Sequence, residues 1–264
     1  MSHRGATWLA CVLACGAAVA APPEHRRNFV ACPIVRDTAS VPCWLAEHGG
    51  ELYFLTLQTD VSSPVTPPWL GHRVLVEGTV APDRPRICGG VVLDPVVLSV
   101  LPELDASCNT ILPAEERYNL TFEPPRPPGP SAGRLAFAPT PSDAPAAPPV
   151  PEQTFTLRYD FDGLVVFRHA GELTAILDSA RARGTRRIAI TGYRGAVLLS
   201  DGGVLVERAD IAARRAAQVA ELLQGAGLTT VEYRVSAEDA AAAPDGADDA
   251  ARRRVTVDLS PVRW

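Results

Sequence analysis

The chain runs to 264 residues, with a formal net charge of −5 at pH 7 and 25 prolines. That length accommodates two ordinary domains, while the acidic balance leaves no extended basic surface for nucleic acid. No lysine occurs, so a lysine nucleophile and a lysine-dependent phosphate loop are both excluded.

The N-terminus reads as an export signal over residues 1–20. Arg4 precedes an apolar run from Ala6 to Ala21, and Ala18-Val19-Ala20 offers a small-x-small cleavage site. The run is too short and too rich in small residues for a membrane span. Val12-Leu13-Ala14-Cys15 also resembles a bacterial lipoprotein box, in which Cys15 would be lipidated and become the first mature residue. Both readings carry the mature chain out of the cytoplasm, to the periplasm or the periplasmic face of the outer membrane.

Cys32, Cys43, Cys88 and Cys108 all fall in the first half. An even number in an exported chain implies disulfides, and pairing of sequence neighbours predicts Cys32–Cys43 with Cys88–Cys108. There is no Cys-x-x-Cys to indicate a redox site or a zinc ribbon, and neither a metal nor a cofactor is expected. Residues 21–27 read as an unstructured lead. Stretches 41–45, 51–57, 72–80 and 90–100 are apolar and β-branched, and turn residues such as His48-Gly49-Gly50 and Ser62-Ser63-Pro64 separate them, so they are predicted strands. In 73–80 apolar and polar residues alternate in part, as in a half-buried strand. Residues 28–122 are therefore expected to form a disulfide-stapled, all-β barrel or sandwich. The Gly71 to Val80 run is similar to strands of OB-fold barrels.

No chemistry stands out in this half. His48 beside two glycines and His72 at a strand start lack ligand-spaced companions. Ser62-Ser63 has no nucleophile-elbow context. Trp44, Tyr53, Phe54 and Trp69 read as core. Asn119-Leu120-Thr121 fits a glycosylation sequon, which a bacterial-type export signal sets aside. Residues 123–153 are dense in proline and predict a semi-rigid polyproline spacer.

Residues 154–260 alternate strand and helix. Strands are predicted at 155–161, 187–191, 230–235 and 253–259, and helices at 170–183 and 207–224. That βαβαββ order is an α/β layer packing. In the second helix Ile211, Ala216, Val219, Leu222 and Leu223 form an apolar stripe, Asp210 is the candidate N-cap, and Gly225 or Gly227 supplies the left-handed stop. Arg214 reads as solvated, with Glu221 on nearly the same face. Arg215 lies close to the apolar stripe near a helix N-terminus, where the dipole disfavours a cation; an anionic partner for it makes physical sense.

Four segments of this half resemble the OmpA-like C-terminal domain, a periplasmic module that grips peptidoglycan. They are the turn Tyr159-Asp160-Phe161-Asp162, the strand end Ile190-Thr191-Gly192-Tyr193, the helix start Ile211 to Val219, and Arg252-Arg253-Arg254-Val255. The resemblance implies recognition rather than catalysis. In the family an Asp after the second strand and an Arg of the second helix hold the diaminopimelate of the stem peptide. An aspartate accepts from its ammonium and an Arg fork chelates its carboxylate. Arg215 takes the second role, beside Tyr193. The Asp position falls on Gly195, and Arg208 stands where an Asn usually precedes the helix. The loop 196–208 is longer than usual and carries Asp201, so Asp201 and Asp210 are the candidates to replace the missing carboxylate.

The expected function is a non-catalytic cell-envelope protein that associates with peptidoglycan through a modified site. The alternative is a structural or protein-binding envelope component that has lost this ligand, with other envelope proteins as partners. An enzyme is disfavoured: Ser-x-x-Lys and His-Glu-x-x-His are absent, His169 lacks an evident partner, and Asp248-Asp249 reads as a solvated loop.

Overall fold

The computed structural model describes residues 25–58, 65, 67–115, 117–118, 153–164 and 170–260. The export segment with Cys15, Ser62-Ser63, the Asn119 sequon, His169 and nearly all of the proline-rich spacer lie outside the described residues.

The first half is a single curled sheet. Its strands are β1 (Arg26–Ala31), β2 (Pro33–Arg36), β3 (Cys43–His48), β4 (Glu51–Leu57), β5 (His72–Val80), β6 (Val91–Leu104) and β7 (Ile111–Leu112), in the order β1-β5-β6-β4-β3-β2-β7. β1 and β2 are one strand interrupted at Cys32. Pairing of β1 with β5 and of β2 with β3 therefore closes the sheet on itself. β4 and β6 run parallel; the pairs β1–β5, β5–β6, β3–β4 and β2–β3 are antiparallel. Phe29, Trp44, Tyr53, Leu55, Val74, Val76 and Leu98 fill the interior. The expected lead is in part this closing strand. Arg26 and Arg27 are tied into it by bonds to Asn28 and Thr79 and to the Tyr53 hydroxyl, so their charge does not keep them out of the sheet. His48 stacks on Phe29 at 4.5 Å and His72 Nδ1 lies 2.8 Å from the Leu101 carbonyl, so each has a packing role. Trp69, expected in the core, is 60% exposed.

The disulfides are Cys32–Cys108 and Cys43–Cys88, not the pairs of sequence neighbours. Strand register explains the difference. Pro33 lies opposite Ala46, which places Cys32 about four residues along β3 from Cys43. At ~3.3 Å per residue that is about 13 Å, beyond disulfide reach. A non-reducing digest should yield linked peptides carrying Cys32 with Cys108 and Cys43 with Cys88, and any Cys32–Cys43 peptide refutes the assignment. Replacing Cys32 and Cys108 by serine is expected to cost about 4 kcal/mol in urea denaturation, given the 76-residue separation.

The second half comprises β8 (Gln153–Arg158), α1 (Ala170–Ala182), β9 (Arg187–Tyr193), β10 (Ala196–Leu198), β11 (Val204–Val206), α2 (Ile211–Gly225), β12 (Glu232–Glu238), a 3-10 turn at Asp249–Arg252, and β13 (Arg254–Ser260). β12-β9-β13-β8 form one sheet, with β12 parallel to β9 and β13 antiparallel to both its neighbours. Period-two apolar residues of the sheet (Leu157, Ile188, Ile190, Val255, Val257, Leu259) meet Ile176 and Ala180 of α1 and Ala216, Val219 and Leu223 of α2. Gly227, at φ +100°, stops α2. Gly227 and Leu228 donate to the carbonyls of Gln224 and Leu223 at 3.0 and 3.1 Å, and Leu228 then joins the core, a Schellman ending. Gly225 stays in the helix. The expected long loop 196–208 is an antiparallel hairpin, β10–β11.

That hairpin is wedged between the halves. Val197 packs with Leu75 of β5 and with Phe161, and Val30, Leu101, Leu199 and Leu205 border them. Asn28 Nδ2 donates to the carbonyls of Leu198 and Gly246 at 3.0 and 2.9 Å, and Phe161 N donates to Ser99 Oγ at 2.9 Å. β5 is therefore covered on both faces from Val74 to Gly78, where half-burial was expected. Asp249, expected in a solvated loop, is fully buried. It accepts from the backbone N–H groups of Leu198, Asp245 and Gly246 at 2.9–3.0 Å and anchors the hairpin's first strand.

Candidate functional site

Arg215 lies on the face of α2 that packs against the sheet, between Ala212 and Ala216, and its side chain is 0% exposed. Arg214, one position round the helix, is exposed and pairs at 3.4 Å with Asp210 rather than with Glu221. Asp210 occupies the N-cap position with helical dihedrals, and its side chain makes no capping bond.

All five N–H groups of the Arg215 guanidinium have acceptors. Nε donates to Gly163 O at 2.9 Å; one terminal nitrogen donates to Tyr193 O at 3.4 Å and Glu207 Oε2 at 3.0 Å; the other donates to Asp160 O at 2.9 Å and Glu207 Oε1 at 2.6 Å. This is a bidentate fork, the strongest geometry an Arg–carboxylate pair adopts. The Tyr159 ring lies 4.8 Å from the guanidinium carbon. Burial pushes the Tyr159 hydroxyl up to about 12, against the opposing pull of the Arg215 charge.

Glu207 is equally complete. Oε1 also accepts from Asp162 N at 2.8 Å and Oε2 from Gly195 N at 2.7 Å, and the side chain is 0% exposed. A carboxylate held by a guanidinium and two backbone N–H groups is a fully satisfied buried anion. The turn that supplies Asp162 N is itself clasped, since Arg208 N donates to Asp162 Oδ1 at 2.8 Å. Burial raises the Asp162 carboxyl above the usual carboxylate range and the Glu207 charge adds to it, while the Arg208 N–H opposes.

The structure separates the four ligand candidates. Arg215 and Tyr193 meet, but through the Tyr193 carbonyl; the Tyr193 ring faces the Arg254 guanidinium at 4.4 Å. Asp201 is an exposed turn residue whose Oδ1 accepts from Gly203 N at 2.8 Å, and Asp210 is spent on Arg214. Neither is among the acceptors of the Arg215 guanidinium. Gly195, where that aspartate would stand, is filled by its neighbours: a Cβ there would lie 2.5 Å from Arg253 Cγ and 3.3 Å from Glu207 Oε2. Sequence reasoning missed Glu207. Its signal was the run Val204-Leu205-Val206-Glu207, an apolar strand ending on an acid eight residues before an Arg that needed an anion.

Among the described residues the one grouping with metal-ligand spacing is Cys32, Asp105 and Cys108, and its two sulfurs are bonded to each other. No described helix is long and apolar enough to cross a membrane.

No family model matches the chain, and no curated protein matches it. Among solved structures, it is similar to a MotB-like protein from Desulfovibrio vulgaris, with 19% identity over 42% of this chain and 76% of that one and a TM-score of 0.34. It is also similar to the cell wall anchor of the T6SS from Pseudomonas aeruginosa, with 22% identity over 42% of this chain and 82% of that one and a TM-score of 0.28.

Proposed function

We propose that the chain is a non-catalytic, exported cell-envelope protein whose second half is an OmpA-like module with its ligand clamp closed from within. It acts as a structural or protein-binding component and does not grip the stem peptide through Arg215. One observation carries this reading: the Glu207 carboxylate occupies both arms of the Arg215 fork, at 2.6 and 3.0 Å. An external carboxylate at Arg215 would first have to displace a partner that is already desolvated and four-fold hydrogen-bonded. Asp201 and Asp210 make exposed local contacts and lie outside the Arg215 fork. The two disulfides fit an oxidising compartment. The parallel β4–β6 pairing within a closed five-strand ring supports an OB-like reading of the first half.

Sedimentation with purified peptidoglycan sacculi tests the proposal. The disulfide-bonded mature protein is expected to stay in the supernatant at physiological salt. Co-sedimentation that free diaminopimelate competes away would overturn it.

A further inference from the structure

Two buried ion pairs lie on either side of Gly195. The first is Glu207–Arg215, inside the second half. The second is Glu77–Arg253, in which Arg253 at the entry to β13 reaches Glu77 on the outer face of β5, and both side chains are 0% exposed. The pairs share a wall. Gly195 N donates to Glu207 Oε2 at 2.7 Å, and its missing Cβ leaves the space that Arg253 Cγ fills. The Arg253 guanidinium then passes over the Phe161 ring, 5.8 Å from its centroid. Phe161 belongs to the same turn whose Asp160 and Gly163 carbonyls accept from Arg215. The two pairs share packed neighbours rather than hydrogen-bond partners, and Glu77 Oε1 and Arg253 Nε and Nη1 have no partner of their own among the described residues. Residues in contact through a shared element are energetically coupled.

We propose that the clamp has become the joint between the two halves: the Arg215–Glu207 and Arg253–Glu77 pairs, packed across Gly195, lock the closed clamp to the barrel. The surface that the resemblance assigns to a ligand is thus committed to the chain's own first half. A change at Glu77 on β5 is felt at Glu207, although the two belong to different sheets. The joint rests on geometry alone and stands whatever the protein does in the envelope.

Hydrogen exchange on the full mature chain tests this, read at the amides of Gly195 and Asp162, which both donate to Glu207. In Glu77→Gln these two amides are expected to lose protection along with those of β5. Loss confined to the β5 amides, with Gly195 and Asp162 as protected as in wild type, would overturn the proposal. Should Glu77→Gln fail to fold, Glu77→Leu with Arg253→Met refills the joint without charge. Lost protection at Gly195 and Asp162 in that double variant supports coupling of the two ion pairs, and wild-type protection there overturns it, since apolar packing would then suffice.

Discussion

Glu207→Ala is expected to lower the stability of the mature protein by about 3–5 kcal/mol, the usual consequence of removing one partner from a buried ion pair. The substitution leaves the Arg215 guanidinium fully enclosed with two of its N–H groups unpaired, and it orphans the Gly195 and Asp162 amides as well. Each unsatisfied buried donor adds a cost of its own. Arg215→Ala should be comparably damaging, because it strands the Glu207 carboxylate. Urea denaturation followed by far-UV circular dichroism reads both variants, since the described helices α1 and α2 lie in the second half. A clamp open to ligand makes the opposite prediction: Arg215→Ala would then cost binding and leave the midpoint almost unmoved. A midpoint within experimental error of wild type for both variants would refute the closed clamp. Replacing both residues together by apolar side chains of similar volume is expected to recover the part of the loss that comes from a stranded charge, while the Gly195 and Asp162 amides stay orphaned.

Restoring the aspartate that the resemblance places at residue 195 should fail, and for reasons that can be divided. Gly195→Ala alone forces a Cβ to within 2.5 Å of Arg253 Cγ, an overpacking expected to cost about 1–3 kcal/mol. Gly195→Asp adds a second carboxylate beside Glu207. Arg215 is fully subscribed, and the cation left to receive it is the crowding Arg253, whose Nε and Nη1 have no hydrogen-bond partner among the described residues. Like charges in a buried site oppose each other, so the total loss is expected to exceed that of the alanine variant unless Arg253 receives the new carboxylate. The measurement is the difference in urea midpoint between the two variants. Equal midpoints would mean that an aspartate at 195 finds a partner, and that the site is more open than its geometry indicates. Binding to sacculi is not expected from either variant.

The parts of the fold that repeat a pattern were legible before any coordinates. α1, β4, β5 and β9 begin where alternation or helical spacing begins, because burying one face is what those periods accomplish, whereas the second helix, expected from residue 207, begins at Ile211. The oddity of Arg215 was legible too: a cation on an apolar stripe at a helix start implies an anion somewhere. β1 was hidden because Arg26 and Arg27 look like leader charge, and their partners Thr79 and Tyr53 lie some fifty and twenty-six residues away. The hairpin β10–β11 was hidden because its strands span three residues each, too short for a period to show.

By itself, then, the sequence determined the strongly periodic strands and helices, that four cysteines would be oxidised in pairs, and that an anionic partner for Arg215 made physical sense. Those are consequences of local spacing and of single-residue chemistry. Only the tertiary structure decided which carboxylate answers Arg215, which cysteine meets which, and what stands in the place of the aspartate. Each of these depends on strand register or on the docking of a distant element. The hairpin brings Glu207 into the clamp, register sets Cys32 beyond the reach of Cys43, and the barrel's Glu77 draws Arg253 across Gly195. The resemblance pointed to a modified ligand site around Arg215, while the packing encloses Arg215 with Glu207, a residue the resemblance did not name.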